Sequence, residues 1–349
     1  MASRPLHIGV IGCGAQAQNH LSVVREMGDE IARVEVICDL REERLEEGRA
    51  LWPEARLCQD YREALKDGDL DLVIVVTMPA THAEICLAAF AAGAHVLCEK
   101  PFVTSLKEAE NVLAAARRAH RQIQLGTNMR YMPGPLYLRD LLASGQVGEP
   151  VQCTIRGCHR NPPVHGPHYQ LAQSGGGVLA STLVHGLDLA LWVGGSPNPV
   201  ALSATAKRLF PLKRGSTVST EVRQNYDAED LLSAFVRFDN GAVYILQGNW
   251  CAESVEDAHG FEMITTRGTL NSSPFSVLVD DGGEVIDKTP GFEGDAGWGT
   301  SIRKQDEDVI QRLRQNRPLD MQDQRQLYNL QKIIDGCYES ARTGREVVF

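Results

Sequence analysis

The sequence predicts an α/β chain of two domains: a doubly wound parallel sheet over residues 1–128, then an α+β domain with a large, open, mostly antiparallel sheet over 129–349. Three observations predict it. The first 126 residues alternate apolar strand runs with helical periodicity, the pattern of a parallel sheet covered on both faces. The first strand ends in a glycine-rich turn that opens a helix, GCGAQA at Gly12–Ala17. From about Val151 long strands follow one another with few helices between, and Asn240-Gly241 sits between two alternating runs as a hairpin turn.

In order, LHIGVIG (6–12) reads as a strand and Gln18–Gly28 as a helix. VEVICD (34–39) is a second strand, Arg41–Trp52 a charged helix, Arg56–Cys58 a short strand and Tyr61–Leu65 a short helix. LDLVIVVT (70–77) is a buried strand, HAEICLAAFAAG a helix that leads into HVLCEKP, SLKEAENVLAAARRAH another helix, and IQLGTN a further strand. The second half offers the strands VQCTIRGCH, DLLSAFVRF, AVYILQGNW and FEMITTRG. Helices at Val178–Val193 and near Gln322–Thr343 are expected to cover one face of their sheet.

At 349 residues, two domains are the natural division, and 43% apolar with 23% charged residues suits a globular protein with a real core. Apolar runs such as Leu72–Val76 fall far short of the roughly 20 residues that span a bilayer. The N-terminus passes directly into a strand pattern without a signal-peptide core, so a cytoplasmic chain is expected. A formal charge of −10 argues against nucleic acid, because a phosphate backbone would be repelled. RRAHR at Arg117–Arg121 closes a helix, where cations suit the negative end of the dipole. The nine cysteines contain no CxxC and fall partly inside apolar runs (Cys38, Cys86, Cys98), as small buried hydrophobes do.

The glycine turn has a chemical reading. Gly12 permits the tight turn, Gly14 lets backbone approach a pyrophosphate, and the helix N-terminus supplies dipole and amide donors. Asp39 ends the second strand 25 residues after Gly14, where a carboxylate accepts hydrogen bonds from a ribose 2′-hydroxyl and repels a 2′-phosphate. That favours NAD; Arg41, two residues on, keeps NADP open.

GCGAQAQNH, TMPATHAEICLAAFAAGAHVLCEKP and SGGGVLASTLVHGLDLALW together resemble the glucose–fructose oxidoreductase/inositol dehydrogenase (Gfo/Idh/MocA) family. The resemblance implies a Rossmann domain, a C-terminal open-sheet domain used in dimerisation, a nicotinamide cofactor, and a polyol or sugar substrate oxidised or reduced at a secondary carbon. GCHRNPPV (157–164) is similar to the inositol dehydrogenase branch and places His159 and Asn161 at the polyol, with Arg130 as a substrate-side arginine. Implied cofactor contacts are Gly12, Gly14, Ala15, Gln16, Asp39, Thr77, Pro79, His82, Glu99 and Lys100. A homodimer or homotetramer is expected, since a bare sheet face of this size would be unusual.

HVLCEKPF (95–102) runs a buried strand into opposite charges and a proline. Ligands bind beyond the carboxyl ends of such strands, so Glu99 and Lys100 are expected at the cofactor cleft and unburied, with Pro101 holding Lys100 extended. Alcohol oxidation needs a proton acceptor and a stabiliser of alkoxide charge. A lysine of pKa about 10.4 must fall by about 3 units to act as a base near neutrality, whereas a histidine near 6.5 is already poised. His185 is therefore the general base in oxidation, and Lys100 fixes the hydroxyl and stabilises the oxyanion. The family's pattern has Asp four residues before this histidine; here Ser181 occupies it, with Asp188 three residues after as another possible aid. Cys158, His159, His165, His168 and His185 form a histidine-rich set, but Asn-Pro-Pro and Gly-Pro interrupt it and no metal-ligand spacing emerges. Histidines lining a polyol pocket are the preferred reading, and no metal is expected. Two other readings stand beside the dehydrogenase: transient use of NAD for elimination or glycoside cleavage, and a dinucleotide- or sugar-binding regulator without turnover.

Overall fold

The structure, a computed structural model, describes residues 4–349 apart from 67, 161–167, 211–218, 253–256, 293–296, 320 and 322. It divides into two compact units, the first made of 1–103, 107–131 and 295–327, the second of 104–106, 132–294 and 328–349. The division near 131 lies close to the expected 128, but residues 295–327 return to the first unit.

The first unit opens with β1 (Leu6–Ile11), α1 (Ala15–Met27), β2 (Ala32–Cys38), α2 (Glu42–Leu51), β3 (Arg56–Cys58), α3 (Tyr61–Ala64) and β4 (Leu72–Val75). It continues through α4 (Pro79–Ala91), β5 (His95–Cys98), α5 (Leu106–Arg118), β6 (Ile123–Leu125) and a 3-10 turn at Asn128–Tyr131. All six strands are parallel, in the order β3-β2-β1-β4-β5-β6. That order reverses direction between β1 and β4, which opens a crevice beyond their carboxyl ends. Every residue of β4 is buried, as a strand covered on both faces must be. Pro79 starts α4 at a position where a missing N–H costs nothing.

The second unit contains α6 (Pro133–Ala143), β7 (Pro150–Cys158), α7 (Leu171–Ser174), a π-helical turn at Leu179–Leu183, and α8 (Val184–Val193). Next come β8 (Pro199–Lys207), α9 (Thr220–Gln224), β9 (Leu231–Phe238), β10 (Val243–Asn249), β11 (Ala258–Thr265), β12 (Gly268–Ser272), β13 (Phe275–Asp281) and β14 (Glu284–Asp287). α10 (Trp298–Arg314) belongs to the first unit, and α11 (Gln324–Thr343) and β15 (Val347–Val348) end the chain. The nine strands run β14-β13-β12-β11-β7-β10-β9-β8-β15, antiparallel except for the parallel pair β7–β10. Gly241, at φ +84, makes the β9–β10 hairpin turn that Asn240-Gly241 announced.

β9 alternates strictly between buried and accessible positions, so its sheet has one packed face and one open face. α8 packs on β7 and β11, close enough that a Cβ at Gly186 would stand 2.9 Å from Ile155. Leu330, Ile333, Ile334 and Cys337 form the buried stripe of α11. On the open face Phe235 remains 40% exposed and Ile264 38% exposed. One helical stretch among the described residues, Leu171–Val193, is long and apolar enough to cross a membrane, and 83% of its most apolar window is buried inside the protein.

Four helices, α6, α7, α9 and α10, were not legible in advance. α6 begins in a proline-rich run that reads as loop. α10 buries Ser301, Gln305 and Asp306 beside Ile302, Val309 and Ile310, so its inward face is half polar. Val309, Ile310 and Leu313 nevertheless join the core around β1 and β2.

Candidate active site

In the first unit the strand ends of β1, β2, β4 and β5 carry the predicted cofactor residues. Gly12 sits at φ +91 and donates to the Cys38 carbonyl at 2.7 Å; a Cβ there would lie 2.6 Å from the Val76 carbonyl, so only glycine fits. Gly14 caps α1, no acidic residue occupies the helix's first turn, and a Cβ on Gly14 would meet nothing within 4 Å. That open space before a helix N-terminus suits an anionic pyrophosphate. Ala15 is exposed and Gln16 half-buried beside it. Asp39 Oδ2 accepts from the Cys13 amide at 2.8 Å and Oδ1 from the Arg41 amide at 3.0 Å. Each oxygen keeps a further lone pair for a ribose hydroxyl. The exposed Arg41 guanidinium stands 3.8 Å from Oδ1, beyond hydrogen-bond distance. These residues fit a dinucleotide.

At the β4 exit Thr77 accepts from the Thr81 hydroxyl at 2.8 Å, and Pro79 is buried. His82, expected at the cofactor, is fully buried: Nδ1 lies 2.9 Å from the Pro101 carbonyl and Nε2 3.1 Å from that of Thr77. Burial pushes its pKa down. The neutral ring has one N–H to donate to these carbonyls, and it packs between the β4 exit and the Pro101–Phe102 backbone.

The β5 exit departs from expectation. Glu99 is buried rather than open, and Lys100 is half-buried. The Lys100–Pro101 peptide is cis. Glu99 Oε2 accepts from the Lys100 amide at 3.2 Å; Oε1 lies 3.3 Å from both Gln16 Nε2 and His20 Nε2. His20, fully buried in α1, also places Nδ1 2.7 Å from Asp306 Oδ2 of α10. Burial opposes its charge, but Asp306 and then Glu99 outweigh it and raise the imidazole to about 10. Burial would raise the Glu99 carboxyl, yet the His20 cation, with Lys100 adding to it, holds it below the usual range. Burial lowers the Lys100 ammonium, with Glu99 opposing. Asp306, His20 and Glu99 thus form a buried chain behind the β5 exit, and the half-buried Lys100 ammonium acts on Glu99 through its charge. His20 and Asp306 escaped sequence reasoning because nothing in GCGAQAQNH says that its histidine faces inward onto a helix 286 residues away.

Arg130, predicted beside substrate, is fully buried in the 3-10 turn and donates from Nη1 to the Met321 carbonyl. Such a guanidinium pins backbone. The neighbouring Asn128 likewise donates to Ser301 Oγ at 2.7 Å.

In the second unit, every residue of α8 is buried except His185, so the imidazole is the helix's one opening to solvent. Ser181 is half-buried within the π-helical turn just before α8. The wider π spacing changes the one-turn relation to His185 that α-helical geometry would give, and such turns often mark functional sites. Asp188 is buried. Glu229, unread in the sequence, fixes this helix start. Its carboxylate accepts from the Gly177 amide at 2.7 Å, the Leu179 amide at 3.0 Å and the Tyr338 hydroxyl at 3.0 Å. A Cβ on Gly177 would stand 1.9 Å from the Glu229 carbonyl oxygen, which explains one glycine of GGG by close approach.

His159 follows the end of β7 and its Nδ1 lies 3.2 Å from Asp257 Oδ2. His259 packs beside it, ring centroids 4.3 Å apart. Asn161 and His165 lie outside the described residues.

Two family models match the chain: an oxidoreductase family with an NAD-binding Rossmann fold over residues 6–127, and the GFO/IDH/MocA C-terminal domain over 136–271. Among curated proteins, inositol 2-dehydrogenase of Gluconacetobacter diazotrophicus is 34% identical over 191 residues, 54% of each chain. The chain thus spans about half the length of the first such relatives. D-glucoside 3-dehydrogenase of Escherichia coli is 25% identical over 99% of this chain and 98% of its own. A solved levoglucosan dehydrogenase with NADH and levoglucosan superposes at TM-score 0.84, 21% identical and 99% covered in both chains, a likeness of fold.

Proposed function

The chain belongs to the Gfo/Idh/MocA oxidoreductase family, and from that premise we propose that it transfers hydride between NAD and a secondary carbon of a cyclic polyol or sugar. The observation that carries the proposal is Lys100: an ammonium lowered by burial, at the carboxyl end of β5 in a sheet of order β3-β2-β1-β4-β5-β6. Gly12, Gly14, Ala15 and Gln16 hold the pyrophosphate, Asp39 holds the ribose, and Thr77, Pro79 and Glu99 shape the floor of the cofactor cleft. The nicotinamide, when bound, accepts or returns the hydride. His185 takes the hydroxyl proton in oxidation and gives it back in reduction, and Lys100 orients the hydroxyl and stabilises its developing negative charge. His159 and Asn161 hold further hydroxyls, while Arg130 and His82 act by fixing backbone. NAD is preferred to NADP because Asp39 repels a 2′-phosphate. The chain works in the cytoplasm as a homo-oligomer through its open sheet face, with no nucleic-acid or membrane partner.

Ser181 favours a second reading. Without a carboxylate there, an imidazolium at His185 gains no full countercharge from that position, so net turnover of a free polyol would be slow, as in an enzyme that uses NAD transiently. The test is nicotinamide absorbance with NAD⁺ or NADP⁺ over a panel of inositols, aminocyclitols and aldoses. Net NADH with one polyol class, reduced about 10²–10³-fold in kcat in Lys100→Ala and His185→Ala, supports the dehydrogenase. Bound cofactor with product but no net NADH supports the transient reading; bound cofactor without any product refutes both.

A further inference from the structure

We propose that His159, Asp257 and His259 form a binding site for a divalent transition cation of the zinc type. One donor atom from each of these three residues lies within 4.8 Å of the other two. The arrangement follows from strand register. β7 and β11 are antiparallel with Cys158 opposite Ala258 and Gly157 opposite His259, so His159, one residue further, stands opposite Asp257. His259 lies in β11 and Asp257 immediately precedes that strand, and their donor atoms meet on one face. It is the packed face of the sheet, the one where Gly157 meets Thr182 and Leu183 just before α8. Here the helical cover ends, leaving His159 half-exposed and the other two exposed.

The donor set is two imidazoles and a carboxylate, the chemistry of a zinc-class ion with an open fourth position. Ligands of a tetrahedral zinc with bonds of about 2.0–2.1 Å sit about 3.3 Å apart. The His159 Nδ1 to Asp257 Oδ2 separation is already 3.2 Å, and the His259 ring lies alongside at 4.3 Å between centroids. Rotation about accessible side-chain bonds brings the third donor in. Asp257 is held for the purpose, since Oδ1 accepts from the Arg160 amide at 3.2 Å. The set shares only His159 with the sequence-adjacent histidines that had no ligand spacing; its other members come from the neighbouring strand.

The test is calorimetric titration of the chelator-stripped full chain with Zn²⁺, alongside Co²⁺ followed by visible absorption. The expected result is a single tight site per chain, with a Co²⁺ spectrum lacking thiolate charge transfer. His159→Ala and His259→Ala should each weaken it by about 100-fold or more, and Asp257→Asn by at least about 10-fold, while circular dichroism stays unchanged. Because His259 and Asp257 are exposed, those two variants keep the test valid if His159→Ala misfolds. Binding no tighter than about 1 mM, binding indifferent to His259→Ala and Asp257→Asn, or binding abolished by Cys158→Ser would each overturn the proposal.

Discussion

His20→Asn should remove a pH-dependent part of the stability that the wild-type chain loses between pH 7 and 9. The imidazole ordinarily titrates at 6.5 and is raised to about 10 in the fold, against burial, by Asp306 and Glu99. A raised folded pKa means that protonation stabilises the fold: the contribution is complete below pH 6.5 and disappears as pH climbs through 10. Its full size is about 5 kcal/mol, falling to about 4 at pH 7 and about 1 at pH 9. Wild type should therefore lose about 2–3 kcal/mol from this group across that interval. The Asn variant, lacking the charge, should lose none of it. At pH 7 the variant should also be about 3–5 kcal/mol less stable, because Asp306 and Glu99 are left buried without their cation. Urea unfolding of both proteins at pH 7 and 9 measures the double difference, which cancels the groups that do not interact with His20. Equal losses in the two proteins would refute the buried imidazolium. Should the Asn variant fail to fold, Asp306→Asn must flatten the same slope.

Asp39→Ala should raise KM for NAD⁺ by about 10–100-fold while narrowing the NAD-over-NADP preference, since it removes a charged acceptor for a hydroxyl and a repeller of phosphate; an unchanged cofactor ratio in initial-rate kinetics would place the ribose elsewhere. Gly177→Ala drives a Cβ to 1.9 Å from the Glu229 carbonyl and should destabilise the chain, by about 2–4 kcal/mol in urea unfolding. Tyr338→Phe leaves the buried Glu229 carboxylate one donor short and should cost about 1–3 kcal/mol, with retention of full stability counting against that bond. Gly14→Ala, in contrast, meets nothing within 4 Å and should leave stability near wild type while weakening NAD⁺ binding, read by fluorescence titration; a fold lost instead of affinity would contradict the open cradle.

What could be read in advance was written in short-range pattern. The parallel sheet showed in unbroken apolar runs such as Leu72–Val75, the dinucleotide turn in Gly12 and Gly14 between a strand and a helix, and the β9–β10 hairpin in Asn240-Gly241. Each reflects a backbone constraint that a few adjacent residues satisfy by themselves. Lys100 and His185 were legible only through motif resemblance, because a lone lysine or helical histidine carries no local signal of its surroundings.

Tertiary structure decided the rest, wherever distant groups share one burial site. Residues 295–327 joined the first unit because α10 offers Asp306 to His20 as well as Val309 and Ile310 to the core, and no local pattern names a partner 286 residues away. The same logic turned Arg130 and His82 from expected ligand contacts into braces: their polar atoms meet backbone carbonyls inside the fold. Strand register, set by the sheet's packing, brought His259 and Asp257 beside His159. A sequence by itself determines which groups can carry charge; the low dielectric and fixed distances of the folded interior determine which of them face one another, and so which charge each one keeps.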